Sequence, residues 1–142
     1  MKRMIILSFF LFLVIGCQSK ENNIIIKEVS SGLITLQVKV EKVEVSKVQV
    51  HTELVYTGDN SIEIIHTDPL VVTVLGDRSN RPEFVVSSVG IEKILDKNEV
   101  YSYDKDKLIN ILPEDKVLYT QTVLTIDGEQ KIIDLDIDLD EF

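Results

Sequence analysis

The residues Leu36-Gln37-Val38-Lys39-Val40-Glu41 alternate strictly between apolar and polar side chains. Successive side chains of a β-strand point to opposite faces of the sheet, so this alternation places the aliphatic side chains on one face and the polar ones on the other. The same period of two continues through Val43-Glu44-Val45-Ser46 and Lys47-Val48-Gln49-Val50. These residues therefore predict half-buried strands of an antiparallel sheet.

The apolar phase of this region changes twice. Val40 and Val43 are an odd number of residues apart, and so are Val45 and Val48. A regular pleat cannot keep residues at odd spacing on one face. We therefore expect a bulge or tight bend near Glu41-Lys42 and again near Ser46-Lys47, each of which returns the valines to the inward face.

Turn signals divide the rest of the chain into short segments. Turns are indicated at Thr57–Asn60, Gly76–Pro82, Leu112–Asp115 and Asp127-Gly128, and a new element is expected to begin at Asp68-Pro69. Strand candidates between them are 62–65, 70–75, 84–86, 117–126 and 132–139, and residues 90–107 are interpreted as loop and short strand, with one helical turn as the alternative. Asp-Gly is a strong signal for a two-residue hairpin turn. The pattern predicts an all-β fold, an antiparallel immunoglobulin-like β-sandwich of about seven to nine strands.

A family resemblance points the same way. The Val-x-Val alternation is followed by Tyr56-Thr57-Gly58-Asp59, by Asp68-Pro69-Leu70-Val71-Val72-Thr73-Val74, and by Leu112-Pro113-Glu114-Asp115 ahead of Tyr119. This order resembles small immunoglobulin-like domains of firmicute exported lipoproteins and, more distantly, the intracellular proteinase inhibitor family of bacilli. The resemblance implies a β-sandwich and, through the inhibitor family, proteinase inhibition as an alternative function.

The first residues have the three parts of an export signal. Met1-Lys2-Arg3 is basic, residues 4–15 are apolar except for Ser8, and Gly16 provides a small side chain for cleavage. The apolar run is about 12 residues long, whereas a helix that crosses a bilayer needs roughly 20. We therefore expect an export signal and no transmembrane span.

The segment Leu13-Val14-Ile15-Gly16-Cys17 resembles the lipobox of bacterial lipoprotein precursors. The resemblance implies cleavage between Gly16 and Cys17, with diacylglycerol and fatty acyl chains such as palmitate attached to Cys17. Two acyl chains are enough for stable attachment to a membrane. An ordinary secretory signal that leaves a buried or unpaired Cys17 is the alternative. Cys17 is the only cysteine, so the chain cannot form an intramolecular disulfide.

These signals predict the organisation of the chain. We expect a lipoprotein signal peptide over residues 1–16, a lipidated cysteine and tether over 17–23, and a β-sandwich domain over 24–142. The protein is expected on the extracytoplasmic face of the cell membrane, anchored through Cys17.

The chain is acidic, with a formal net charge of −9. Because the predicted signal contains two of the basic residues, Lys2 and Arg3, the remainder is more acidic still. An acidic surface repels phosphate backbones and anionic lipid headgroups, so we exclude nucleic acid as a partner and expect the domain to stand off the membrane on its tether. An envelope protein or a wall component is the expected partner.

Two groups of residues are candidates for metal ligands. Asp134, Asp136, Asp138 and Asp140 alternate with aliphatic residues, but neighbours on one face of a strand are about 6.6 Å apart, too far to converge on calcium. We expect a solvated acidic face, with Ile133, Leu135, Ile137 and Leu139 packed inward. His51 and His66 are too few for a closed zinc site, and each is expected to be a surface histidine with an ordinary hydrogen bond. No metal and no cofactor is predicted.

No catalytic residue is predicted either. The nearest feature to a nucleophilic serine is Ser87-Ser88 before Gly90, which we interpret as a turn, and the chain contains no nucleophile elbow. A pair of carboxylates for hydrolysis of wall or carbohydrate is the weakest alternative, because sugar enzymes usually stack sugars on aromatic residues and the chain has no tryptophan.

The loop with both signs of charge is the candidate partner-binding site, specifically Asp77, Arg78, Arg81 and Glu83. A plain connection between strands is its alternative interpretation. The sequence thus predicts a membrane-anchored lipoprotein with a non-enzymatic, immunoglobulin-like binding domain.

Overall fold

Nine strands and one short 3-10 helix are formed by residues 23–142, the part of the chain that the computed structural model describes. The strands are β1 Ile24–Ser31, β2 Ile34–Glu44, β3 Lys47–Tyr56, β4 Ile62–Gly76, β5 Ile91–Leu95, β6 Val100–Tyr101, β7 Lys107–Asn110, β8 Val117–Ile126 and β9 Glu129–Asp138. The 3-10 helix, Leu139–Glu141, follows β9 directly. The predicted signal peptide and Cys17 lie outside the described residues. Within residues 23–142, no helix has the length and apolar character needed to cross a bilayer.

The strands form two antiparallel sheets. One sheet has the order β1-β2-β3, with β6 and β7 each pairing along β3, and the other has the order β5-β4-β8-β9. An immunoglobulin sandwich has one sheet with the strand order A-B-E and another with the order C′-C-F-G. Here β2, β3 and β7 take the places of A, B and E. In the other sheet, β5, β4, β8 and β9 take the places of C′, C, F and G. β1 is an additional edge strand beside A. The predicted all-β immunoglobulin-like sandwich is confirmed.

The β2–β3 hairpin is bulged, as the phase change predicts. The pairing register shifts between Lys42 and Glu44, and a two-residue turn at Val45-Ser46 follows. The expectation that Val43 and Val45 face inward is wrong, because their exposed fractions are 43% and 94%. Both valines lie at the hairpin tip, beyond the fully buried positions that the opposite sheet covers.

β4 is one long strand with a bulge, so the expected start of a new element at Asp68-Pro69 is wrong. Its pairing with β8 shifts between His66 and Val71, and the Asp68–Pro69 peptide is cis. The Asp104 carboxylate accepts hydrogen bonds from the backbone N–H groups of Leu70 and Val71, at 3.0 and 2.8 Å. The side chain thereby satisfies two backbone groups at the place where the strand ladder is interrupted.

Three other segments differ from the sequence interpretation. The strand candidate at 84–86 is part of an irregular loop that runs from residue 77 to residue 90. β1 and β7 are strands that the sequence pattern does not single out.

The ambiguous stretch 90–107 contains two short strands, β5 and β6, which agrees with the loop-and-strand interpretation and not with a helical turn.

The core lies between the two sheets and is almost entirely aliphatic. Its fully buried large side chains include Leu36, Leu54, Ile64, Leu70, Leu95, Leu118, Leu124 and Ile137. Two buried threonines on β8 donate their hydroxyls to backbone carbonyls, Thr120 to Leu135 at 2.6 Å and Thr122 to Leu70 at 2.8 Å. Within residues 23–142 every buried side-chain nitrogen or oxygen has a hydrogen-bond partner, as a stable core requires.

Candidate functional site

The loop predicted to bind a partner lies along β9 and is held there by its two arginines. Arg78 donates to both carboxylate oxygens of Asp138, at 2.7 and 2.8 Å, and to Asp140 at 2.9 Å. Arg81 bonds Asp134 at 3.0 Å and also contacts Asp136. The two arginines that the sequence suggests for recognition are therefore paired with carboxylates of the same chain.

The start of the loop is fixed by short-range bonds. The Asp77 carboxylate accepts from the backbone N–H groups of Ser79 and Asn80 and from the Ser79 hydroxyl, and these bonds lower the pKa of Asp77. Its backbone carbonyl accepts the Tyr119 hydroxyl at 2.5 Å. Glu83 is exposed. Asp77 therefore supports the loop's shape.

Aromatic contacts fix Arg81 further. Its guanidinium carbon lies 5.4 Å from the ring centre of Phe84 and 5.3 Å from that of Tyr119. A guanidinium within about 6 Å of a ring face is attracted to it. The middle of the loop is thus bound to the outer side of the sheet.

The second half of the loop exposes two apolar side chains. The side chains of Val85 and Val89 are 90% and 56% exposed, in a loop whose two arginines are already paired. Between them the Ser87 hydroxyl accepts a hydrogen bond from the N–H of Val89 at 3.2 Å, which agrees with the predicted turn at Ser87-Ser88. Sequence reasoning misses this pair of valines as a recognition signal, because β-branched residues favour strands and the pattern assigns Val85 to one.

The acidic tail has the predicted arrangement of inward aliphatic side chains. Ile133, Ile137 and Leu139 are buried and Leu135 is half-buried. On the other face the aspartates are bound by Arg78 and Arg81, and Lys116 lies 3.5 Å from Asp140. The Arg78 guanidinium lowers the pKa of Asp138 and of Asp140. No group of three or more histidine, cysteine, aspartate or glutamate side chains in residues 23–142 is arranged to hold a metal ion.

His66 is expected at the surface, and this expectation is wrong. Its exposed fraction is 1%, and its ring packs edge-on against Tyr103 with ring centres 4.7 Å apart. Nδ1 lies 2.7 Å from the Thr67 carbonyl, which can only accept, so this nitrogen carries the proton. Nε2 then accepts the hydroxyl hydrogen of Tyr101 at 2.9 Å. His66 is a hydrogen-bonded core residue beside the β4 bulge.

His51 lies on the outer face of the other sheet, between two carboxylates. Nδ1 is 2.6 Å from Asp106, and Nε2 is 3.2 Å from Glu53. The hydrogen bond with Asp106 is the largest of the effects that raise the pKa of His51. Asp106, which also accepts from Gln49 at 2.8 Å, has its pKa lowered by the same contact.

Ser102, His51 and Asp106 lie in an order that resembles a catalytic triad. The Ser102 hydroxyl is 3.4 Å from His51 Nε2, on the opposite side of the ring from Asp106. A catalytic histidine must accept the serine proton at Nε2. Here Glu53 lies closer to that nitrogen and favours the charged form of the imidazole, in which both nitrogens donate. The arrangement favours a charged histidine that joins β3 to the segment between β6 and β7.

Next to His51 is a shallow groove of about 280 Å³, lined by Lys39, Glu41, Gln49, His51 and Asp106. Glycoside hydrolysis by two carboxyl groups requires one of them to have a raised pKa, so that it can donate a proton. Asp106, whose pKa is lowered, does not fit the proton-donating role.

No protein-family model matches the chain, and no curated protein matches it. Among solved structures, it is similar to the GAE domain of Gga2p from Saccharomyces cerevisiae, with a TM-score of 0.43 and 7% sequence identity. That alignment covers 81% of this chain and 96% of the yeast domain.

Proposed function

We propose that this protein is a bacterial lipoprotein, anchored through Cys17 on the extracytoplasmic face of the cell membrane, whose immunoglobulin-like sandwich is a non-enzymatic binding domain. The observation that carries the proposal is the sequence Leu13-Val14-Ile15-Gly16-Cys17, which resembles a lipobox and is preceded by a basic and an apolar segment. The first strand begins at Ile24, so only a short polar spacer separates the predicted anchor from the folded domain.

The loop from residue 77 to residue 90 supports the binding role. Irregular loops of this length inside a compact domain are uncommon and are usually functional. Arg78 and Arg81 fix the loop to β9, so Val85 and Val89 are presented without the loss of conformational entropy that a free loop would incur on binding. Because the loop's arginines are bound within the chain, Val85 and Val89 are the side chains that it offers for recognition. We therefore propose an envelope protein as the partner of these two valines.

The anchor is tested by expressing the full chain in a bacterium that processes lipoproteins. Mass spectrometry of the N-terminal peptide is expected to show Cys17 as the first residue with diacylglycerol attached. Cys17→Ala should release the protein from the membrane fraction, while the matched variant Ser19→Ala should stay bound. A free thiol at Cys17 with Met1 still present, in a soluble cytosolic fraction, contradicts the proposal.

The loop is tested by placing a photo-crosslinking amino acid at position 85 in living cells. Position 33, an exposed leucine at the β1–β2 turn, is the matched control. A specific adduct at position 85 that is absent at position 33 supports the proposed surface. It should weaken in the double variant Arg78→Ala, Arg81→Ala, in which the loop is released from β9. Identical adducts at both positions would rule out this loop as the binding surface.

A further inference from the structure

One end of the sandwich carries the first strand's start together with three other segments. The Asn23 carbonyl accepts from the N–H of Lys42 at 2.7 Å, which ties the start of β1 to the β2–β3 hairpin. The Ser46 carbonyl accepts from Ile111 at 2.8 Å, which ties that hairpin to the β7–β8 loop. The N–H of Leu139 donates to the carbonyl of Lys116 at 2.9 Å, which adds the 3-10 helix. We call this part of the surface the tether end.

The tether end exposes aliphatic side chains on two neighbouring loops. Val45 is 94% exposed in the β2–β3 turn, and Leu112 is 55% exposed in the β7–β8 loop. Between them is a groove of about 290 Å³, whose lining includes Pro113 and Phe142. Neither side chain contributes to the buried core, so both are available for a contact outside the domain.

Several charged side chains of this end have partners within the chain. Glu44 pairs with Lys47 at 3.1 Å, and Glu141 pairs with Lys27 at 2.9 Å. The Asp115 carboxylate accepts the N–H of Leu112 at 2.8 Å. These two ion pairs partly offset the overall acidity, which favours repulsion from anionic lipid, near the point where the apolar side chains protrude.

The short distance between Cys17 and β1 determines whether the bilayer or a protein lies next to the tether end. Six residues separate Cys17 from Ile24, and a fully extended chain advances at most about 3.3–3.6 Å per residue. The start of β1 therefore stays within roughly 25 Å of the lipidated sulfur. The bilayer is thus held at high effective concentration beside Val45 and Leu112, while a protein partner would have to enter the narrow space beneath the domain.

We infer that the tether end rests on the bilayer that holds Cys17, with the side chains of Val45 and Leu112 in the headgroup region. This inference rests on the proposed lipid anchor and changes the expectation that acidity holds the domain away from the membrane. It also orients the molecule: β1 rises from the membrane, and the β1–β2 and β8–β9 turns point away from it.

The absence of tryptophan from the chain allows a direct fluorescence test. Leu112→Trp and Val45→Trp are placed separately in the full-length lipidated protein, and Leu33→Trp at the far end is the control, since Leu33 is 56% exposed. Each protein is reconstituted into phosphatidylcholine vesicles with or without brominated lipid. We expect bromine to quench the indole at position 112 or 45 at least about twofold more than the indole at position 33, with a blue-shifted emission. Urea melts of the three variants check that each is folded.

The outcomes separate the inference from the proposed function. Equal quenching at positions 112 and 33 in protein whose Cys17 carries lipid overturns the membrane contact and leaves the anchor in place. Emission from the indole at position 112 that shifts with protein concentration, without quenching by lipid, assigns the surface to a second copy and also overturns the inference. An unmodified Cys17 overturns both.

Discussion

The two histidines show how differently equivalent residues behave in one fold. His51 continues a segment of alternating polarity and His66 precedes Asp68-Pro69, and the sequence assigns both to the surface. His66 is instead buried beside Tyr101, whereas His51 is partly exposed between Asp106 and Glu53. His66 is a core hydrogen-bond partner, and His51 links two segments through carboxylates that raise its pKa and so favour its charged form.

The raised pKa of His51 predicts a pH dependence. A histidine whose pKa in the folded state exceeds its ordinary value of 6.5 stabilises the protein fully below that value, and the contribution is lost as pH rises through the folded-state pKa. The stability advantage of the native protein over His51→Gln should therefore be larger below the ordinary pKa than well above the raised one. Urea unfolding in mildly acidic and in alkaline buffer measures it, and an advantage that grows with pH would contradict the charged form.

The same contact can be tested by NMR titration. Asp106→Asn should lower the pKa of His51, because it removes the strongest effect that raises it. Ser102→Ala should leave that pKa nearly unchanged. A His51 pKa that does not respond to Asp106→Asn would show that the hydrogen bond is not formed in solution.

Tyr101→Phe tests the buried hydrogen bond of His66. The substitution keeps the ring and removes the hydroxyl that Nε2 accepts, so a buried acceptor loses its partner. Such a loss costs about 1–3 kcal/mol of unfolding free energy. Tyr103→Phe is the control, because that ring is 36% exposed and should change stability by less than about 0.5 kcal/mol. Equal effects of the two substitutions in urea melts would contradict the buried role.

At the scale of elements, the β8–β9 hairpin is where sequence and structure agree best. Asp127 and Gly128 have φ angles of 52° and 78°, as the two central residues of a type I′ turn require. Every residue of β8 then pairs with one of β9, from Ile126 with Glu129 to Val117 with Asp138. The register of this hairpin follows from its turn.

Gly128→Ala should therefore destabilise the protein. The added Cβ meets nothing within 4 Å, so the cost is backbone strain at positive φ, about 1–2 kcal/mol. Asp127→Asn should change stability by less than about 0.5 kcal/mol, since Asn-Gly forms the same turn. Thermal or urea unfolding of both variants measures the difference. A neutral Gly128→Ala would mean that the turn adopts another type.

The partners of the β9 aspartates are a second feature at the scale of elements. Alternation along the strand places them on one face, as the sequence predicts. The arginines that bind them come from the loop after β4, more than fifty positions earlier in the chain. The acidic face is thus a site for the chain's own loop, a pairing that strand periodicity alone does not reveal.

At the scale of the whole molecule, stability comes from one aliphatic core between two sheets. The sheets also meet at an edge, where β1 lies beside β9 and Lys27 pairs with Glu141. Such exposed pairs contribute little. Burial of the inward side chains must therefore supply most of the stability.

Leu118→Ala should lower the unfolding free energy by about 2–5 kcal/mol, because Leu118 is fully buried and its removal leaves a cavity. Leu112→Ala, which shortens an exposed leucine at the tether end, should change it by less than about 0.5 kcal/mol. The two are compared by urea unfolding. A cost for Leu118→Ala as small as that for Leu112→Ala would show that the two sheets do not pack together as described.

The amino-acid sequence is sufficient to predict the fold class, the main hairpins and the inward face of most strands. These are local properties: alternation fixes which side chains share a face, and Asp-Gly fixes a turn without help from distant residues. The bulge near Lys42 is predictable for the same reason, since a change of phase within one segment is visible along the chain.

Tertiary packing decides where those faces end and which distant groups meet. Val43 and Val45 continue the inward pattern but protrude, because the opposite sheet does not reach the hairpin tip. Asp106, in the segment between β6 and β7, contacts His51 on β3. Asp104, in the same segment, binds the β4 bulge, which belongs to the opposite sheet. Such contacts depend on the packing of two sheets, which no periodicity within a single strand encodes.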